Sequence, residues 1–393
     1  MTNAYEVQLI EYLKGLEDKG MHRLLRLMGS TQNGRTHLNG SQIINFSSNN
    51  YMGLAQHPLL IERATDWMEN WGAGAMASRL VCGTMELHEQ VEQRLVQGKG
   101  GEAALVFNSG FQANLSILSA LFDKDVLGSE PLVFCDRLNH ASMHQGLKAA
   151  GIRQIRYHHN DLDHLEKLLR KNADVAGPRF ILTESVFSMD GDQSDVDALI
   201  NLADKYGAEL YIDEAHATGV LGTNGFGLCA GKNVAFKMGT FSKALGGFGA
   251  YLVCSRTVRD YLINRCAGFI YSTALPPAVL GAMDAALELV PTLDATRKRL
   301  LDNAEKVRAR FSKSGFDVGG SSTQIIPLIV GDEKKTLAVA KSLEQENILG
   351  IAIRPPTVPK GASRIRFALS ASHSDDDINL LCDVVDQLGT REF

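Results

Sequence analysis

Hydrophobic residues recur along most of the chain in two alternating rhythms. Stretches with apolar residues every three or four positions, such as "HEQVEQRLVQ", "LDHLEKLLRK" and "DVDALINLADKYG", read as amphipathic helices. Short runs rich in branched and aromatic residues, "EAALVF", "PLVFCD", "RFILTE", "AELYID" and "GAYLVC", read as buried strands. Strand and helix in turn predict an α/β body with parallel strands and helices on both faces of the sheet. The two ends of the chain differ from this middle. An amphipathic helix opens the sequence and passes through a turn, a short strand and a polar loop in "HLNGSQIINFSSNNYMGLAQHP". After "YSTALPPA" a long helical region precedes strands ending in "SRIRFALSASH" and an amphipathic tail. The pattern therefore predicts an N-terminal arm at 1–57, a large α/β domain at 58–285 and a small C-terminal α+β domain at 286–393.

Composition narrows the function. With 45% hydrophobic and 22% charged residues over 393 positions, the chain can bury a large core as a folded, soluble protein. Basic residues number 40 against 45 acidic ones, and no block of like charge suggests a nucleic-acid or membrane-surface partner. No run is long enough to span a bilayer, and the acidic residues in "MTNAYEVQLIEYLKGLEDKG" break the apolar stretch a signal peptide needs. Six scattered cysteines never form C-x-x-C and read as reduced core residues of a cytoplasmic protein. A small-molecule role is the remaining expectation.

Ligands of open α/β sheets sit beyond the carboxyl ends of the strands, so the residues just after each strand are where chemistry is expected. Lys243 in "TFSKALGG" lies among small residues, where a desolvated amine loses its proton more easily and can act as a nucleophile. Asp213 ends "LYID", a place suited to pairing with a protonated ring nitrogen. Ser109, Gly110 and Phe111 in "NSGFQAN" open a helix, whose N–H groups and dipole attract phosphate. His140 in "DRLNHASMH" offers a flat ring for stacking. His140 and His144 are also spaced like a metal pair, but no third ligand has suitable local spacing. Taken singly, each has a plain structural reading: a solvated lysine, a capping aspartate, an N-cap serine. Their joint placement after successive strands favours one site. "DEAH" at 213–216 does not indicate a helicase, because no G-x-x-x-x-G-K-[ST] is present to hold a nucleotide phosphate. "GTNGFG" lacks the setting of a dinucleotide fingerprint, and the doublet His158 and His159 reads as a strand end.

Through "NFSSNNYMGL", "DRLNHASM", "ESVFSMDGD", "DEAHATGVLG", "TFSKALGG" and "RIRFALSASH" the chain resembles the α-oxoamine synthases, pyridoxal-phosphate (PLP) enzymes of fold type I that condense an amino acid with an acyl thioester. The resemblance implies a large, mostly parallel-sheet domain with a smaller C-terminal domain. It implies Lys243 as the Schiff-base lysine, Asp213 as partner of the pyridine nitrogen and His140 as the stacking ring. His216 and Ser188 would contact the phenolic oxygen region. The phosphate would lie on Ser109, Gly110, Phe111 and Thr240, with Ser272 and Thr273 reaching it from the neighbouring subunit of a homodimer. Arg366 would take the amino-acid carboxylate with help from Asn49, and Arg23 would contact the acyl substrate. "FIYSTALPPA" and "AIRPPTVPKGASRIRFALSASH" favour L-alanine and a pimeloyl thioester, carried by coenzyme A or a carrier protein. Other members of the family, using serine or glycine or making amino-ketone signals, are the alternatives, as is a non-catalytic partner subunit. Two residues depart from the common pattern: Asn50 stands where many members have Asp, and Arg79 where some have a glycine-rich run.

Overall fold

The computed structural model describes residues 3–389. The described residues fold as two compact units, one made of 3–51, 189–192 and 299–389, the other of 52–188 and 193–298.

The first unit begins with the helix Ala4–Asp18, capped by Asn3, whose side chain accepts the Glu6 N–H at 2.9 Å. None of the helix's residues is buried, and Tyr5, Ile10 and Tyr12 are more than half exposed. An antiparallel meander follows, of β1 (Met28–Gln32), β2 (Arg35–Leu38) and β3 (Ser41–Asn45).

The second unit carries the main sheet. Its strands are β4 (Ala103–Phe107), β5 (Leu132–Asp136), β6 (Gln154–Tyr157), β7 (Arg179–Glu184), β8 (Ala208–Asp213), β9 (Phe236–Thr240) and β10 (Ala250–Cys254). They lie side by side in the order β4-β10-β9-β8-β7-β5-β6. The pairs β6–β5, β5–β7, β7–β8 and β8–β9 are parallel, while β10 runs antiparallel to both its neighbours. Connection length explains the exception. Residues 241–249 between β9 and β10 contain no helix, and a link that short reverses the chain where a parallel return needs a crossover of a dozen or more residues.

Apart from the edge strand β6, the strands are largely buried on both sides, and their period of two sorts the side chains into two cores. Val133, Cys135, Phe180, Leu182 and Tyr211 pack on one face under the helix Gly110–Leu121. Leu132, Phe134, Ile181, Leu210 and Ile212 pack on the other, against Leu199 and Ala203 of the helix Val196–Tyr206. A one-residue slip of any strand would exchange its two faces, so this alternation also sets which terminal side chain reaches which face.

In the remainder of the first unit, β11 (Ile325–Gly331), β13 (Ile351–Ile353) and β14 (Ser363–Ala368) form an antiparallel sheet with β14 central, and β12 (Ile348–Leu349) adds parallel to β3. Pairing with β12 ties the N-terminal meander to the C-terminal third of the sequence.

Candidate active site

At the carboxyl ends of β7, β8 and β9 lies a cavity of about 260 Å³, lined among others by Ser109, His140, Asp213, His216, Thr240 and Lys243. The second unit thus brings together residues spread over more than a hundred positions of sequence.

Lys243 is delivered by the reversal after β9. Gly246 in that turn has φ +67° and approaches the backbone of Leu54 and Ala55 so closely that a Cβ would sit 2.4 Å from it; only glycine fits both demands. The Lys243 Nζ lies 2.7 Å from His216 Nε2 in a hydrogen bond, and His216 is buried three residues beyond the end of β8.

Asp213 and Glu214 at that strand end face opposite ways, as the pleat requires. Asp213 continues the Tyr211 side into the cavity. Its Oδ2 accepts from Asn114 Nδ2 at 2.8 Å and its Oδ1 from the Ala215 N–H at 2.9 Å, bonds that fix its orientation. Glu214 faces the other way and forms a fully buried ion pair with Lys99, Nζ to Oε2 2.5 Å. Lys99 also donates to Thr218 Oγ1 at 2.9 Å, and Glu214 Oε1 accepts from the Cys229 N–H at 2.8 Å. One carboxylate of "DEAH" therefore serves the cavity and its neighbour serves the fold.

His140 caps the helix Ala141–Ala149, and its Nδ1 lies 2.7 Å from Ser142 Oγ. Burial pushes its imidazole below the usual histidine range; the Asp213 charge offsets part of that shift and the Lys243 charge adds to it. Ser109 caps the helix Gly110–Leu121 by accepting the Gln112 N–H at 3.3 Å. The first N–H groups of such a helix have no intrahelical acceptor and suit a phosphate. Thr240 Oγ1 donates to the Gly249 carbonyl at 2.7 Å.

Asn114, Ser142 and Glu184 are among the cavity residues that escaped the sequence reading. Asn114 lies four positions after Gly110, one helical turn on, and joins three side chains: it donates to Asp213 and to Ser142 Oγ (3.0 Å) and accepts from Tyr211 OH (2.7 Å). Ser142 links that network to His140. Glu184 ends β7 as Asp213 ends β8, a position that was itself a signal, and its Oε1 accepts the His140 N–H at 2.5 Å.

Other expected residues lie apart from this cavity. Ser188 does not line it. Within this chain Ser272 Oγ accepts from Gln112 Nε2 at 2.7 Å, and the Thr273 carbonyl accepts from Asn108 Nδ2 at 2.9 Å. His144 Nδ1 meets Gln154 Oε1 at 2.9 Å. A different trio, His158, Asp161 and His164, stands within metal-ligand range of one another, but these groups are engaged in capping the helix Leu162–Lys171: Asp161 accepts the His164 N–H and His164 accepts the His158 N–H.

In the first unit, Arg366 on β14 donates to Asn49 Oδ1 at 3.2 Å and to Tyr51 OH at 3.1 Å, while Tyr51 donates to Asn49 Oδ1 at 3.0 Å. Arg364, two residues away on the same strand, is held by Asp190 and the Ala362 carbonyl. Arg23 donates to Thr357 Oγ1 at 3.0 Å and lines a cavity of about 570 Å³ with Arg26, Lys341 and Arg354. In the second unit Arg79 is buried in an ion pair with Glu92 at 2.9 Å, and its guanidinium lies over the Phe269 ring.

Residues 41–385 match the family model described as aminotransferase class I and II. The chain belongs to that family. Within it the chain is an α-oxoamine synthase and a PLP enzyme. A Magnetococcus marinus relative is 60% identical over 376 residues, 95% of each chain. The 8-amino-7-oxononanoate synthase of Gluconacetobacter diazotrophicus is 57% identical over 345 residues, 87% of each chain. A solved structure of serine palmitoyltransferase holding PLP superimposes with a TM-score of 0.89 at 27% identity, over 97% of this chain and 96% of that one. As an aminotransferase-family enzyme the chain needs a small, flat, phosphorylated cofactor, and its cavity fits one: an amine, a twice-bonded carboxylate, a flat histidine ring and a helix N-terminus converge on about 260 Å³. Among the described residues no helix is long and apolar enough to cross a membrane.

Proposed function

We propose that the chain is an 8-amino-7-oxononanoate synthase, which condenses L-alanine with a pimeloyl thioester and releases the thiol carrier and carbon dioxide in the making of biotin. Identity of 57% to a synthase of that name, against 27% to serine palmitoyltransferase, supports this over a lipid-forming activity. The observation that carries the reading is the Lys243 amine, 2.7 Å from His216 Nε2 in a cavity that Asp213 also lines.

Lys243, Asp213, His140 and His216 would hold the ring of PLP, and Ser109, Gly110, Phe111 and Thr240 would hold its phosphate. When bound, PLP supplies an electron sink for negative charge at the amino acid's α-carbon. Lys243 takes the α-proton onto Nζ, which the hydrogen bond to His216 keeps oriented. Asp213, held in place by Asn114 and the Ala215 N–H, would accept a hydrogen bond from the protonated pyridine nitrogen. Arg366, already oriented by Asn49 and Tyr51, presents a guanidinium fork suited to an α-carboxylate. Arg23, in a cavity with three further cations, would take the distal carboxylate of the acyl chain.

The enzyme is proposed to act as a cytoplasmic homodimer in which Ser272 and Thr273 complete the phosphate site of the neighbouring subunit. The uncovered apolar residues of the helix Ala4–Asp18 support a partner chain. A panel of alanine, glycine and serine against pimeloyl, carboxylate-free and long-chain thioesters, scored for thiol and carbon dioxide release, tests the reading. Alanine with pimeloyl should turn over fastest, and Lys243→Ala should bind cofactor without turnover. Preference for an unbranched fatty acyl thioester would overturn the assignment.

A further inference from the structure

One buried acid of the cavity has no task in this scheme. Glu184 and Asp213 are register partners across the parallel pair β7–β8. Register partners in parallel strands send their side chains to the same face, and both residues continue the side that carries Phe180, Leu182 and Tyr211. Two carboxyl groups therefore stand next to each other in one cavity, 3% and 5% exposed. Their support is unequal. Asp213 accepts from a side-chain amide and a main-chain N–H, whereas Glu184 accepts the single His140 N–H among the described residues. Neighbouring buried carboxyls do not both ionise, and Glu184, with the single donor, is placed to keep its proton. Burial first, and the Asp213 charge second, hold the Glu184 carboxyl well above the usual carboxylate range, with Lys243 offsetting part of the effect.

We propose that Glu184 is a catalytic acid of this enzyme, donating its proton to the carbonyl oxygen of the acyl thioester while the carbon–carbon bond forms. The proposal rests on the condensing activity put forward above. As the substrate's α-carbon bonds to the carbonyl carbon, the π pair of the C=O moves onto oxygen, which takes the Glu184 proton. When the carbonyl re-forms, the proton returns to Glu184, the C–S bond breaks and its electron pair leaves on sulfur as thiolate. Other ionisable groups of the cavity are committed elsewhere: Lys243 serves the α-carbon, His216 Nε2 is hydrogen-bonded to Lys243 Nζ, Asp213 serves the ring nitrogen, and His140 Nδ1 lies against Ser142.

Glu184→Gln separates this role from support of His140, because the amide oxygen can still accept the His140 N–H but the side chain has no proton to give up. In the cofactor-free protein at neutral pH, the wild-type infrared spectrum should contain a protonated-carboxyl band, shifted in D₂O and missing from Glu184→Gln. PLP affinity and exchange of the alanine α-proton with solvent deuterium should stay within about threefold of wild type. Thiol release from pimeloyl thioester should fall by about 100-fold or more, the range general acids supply. Absence of the difference band would overturn the proposal. So would thiol release within tenfold of wild type, or a parallel loss of α-proton exchange, which would make Glu184 a positioning residue for His140. If Glu184→Gln does not fold, Glu184→Asp takes its place: it should shift the infrared band and lower thiol release more than α-proton exchange, and an unshifted band or equal losses would overturn the proposal. A wild-type enzyme that exchanges the alanine α-proton but releases thiol from no thioester would sink the condensing reading itself, independently of either variant.

Discussion

Asn114→Ala tests the network beneath the cavity. The side chain is 1% exposed and uses its amide in three hydrogen bonds, to Asp213 (2.8 Å), Ser142 (3.0 Å) and Tyr211 (2.7 Å). A lost neutral bond costs about 1 kcal/mol and one to a charged group about 1.5–3 kcal/mol, so truncation should destabilise the protein by roughly 4 kcal/mol. That is a large share of the roughly 5–15 kcal/mol that holds a typical domain together. Asp213 also loses one of its two donors. With Asp213 held less firmly, PLP should bind about tenfold more weakly, the equivalent of about 1.4 kcal/mol, which is the scale of one hydrogen bond to a charged group. Urea denaturation of the cofactor-free protein measures the first effect without the stabilisation that bound ligand adds. Absorbance titration with PLP measures the second. A loss of less than 1 kcal/mol together with unchanged PLP affinity would refute the role given to Asn114.

Arg366→Ala should raise the alanine KM by the equivalent of roughly 2–5 kcal/mol, as for a buried charge pair that loses one partner, and should affect the thioester KM far less; steady-state kinetics with each substrate varied decides. Lys99→Met leaves Glu214 charged and alone in the core and should cost roughly 3–5 kcal/mol, whereas Lys99→Met with Glu214→Gln should recover most of it; equal losses in urea melts would contradict the pairing. Acid should destabilise the fold through two buried histidines. Burial and the Arg79 charge lower His88 to about 3, and burial lowers His373 to about 4. Their folded-state values lie below the unfolded value of about 6.5, so their contribution is complete above that pH and is lost as pH falls toward 4 and 3, by about 2 kcal/mol each at pH 5. Urea midpoints at pH 7 and pH 5 should show the drop, and His88→Gln should reduce it.

Alternation of helical and strand rhythms was enough to read the α/β body, because burial on both faces of a sheet writes itself into every strand. Lys243, Asp213, His140 and Ser109 were legible for a related reason: each ends or follows a strand, and strand ends are where an open sheet leaves room for a ligand. The antiparallel course of β10 was not legible from its own residues, since "AYLVC" is apolar throughout and would suit either direction; the helix-free link before it decides. Partners were hidden as well. Nothing local distinguishes Asp213 from Glu214, yet the pleat sends one to the cofactor cavity and the other to Lys99, 115 positions earlier. Asn114 and Glu184 acquire meaning only beside Asp213, and Tyr51 only beside Arg366, 315 positions away. Hydrophobic periodicity is local and survives in the order of residues, whereas hydrogen bonds and charge pairing depend on distances that arise only when the strands lie side by side.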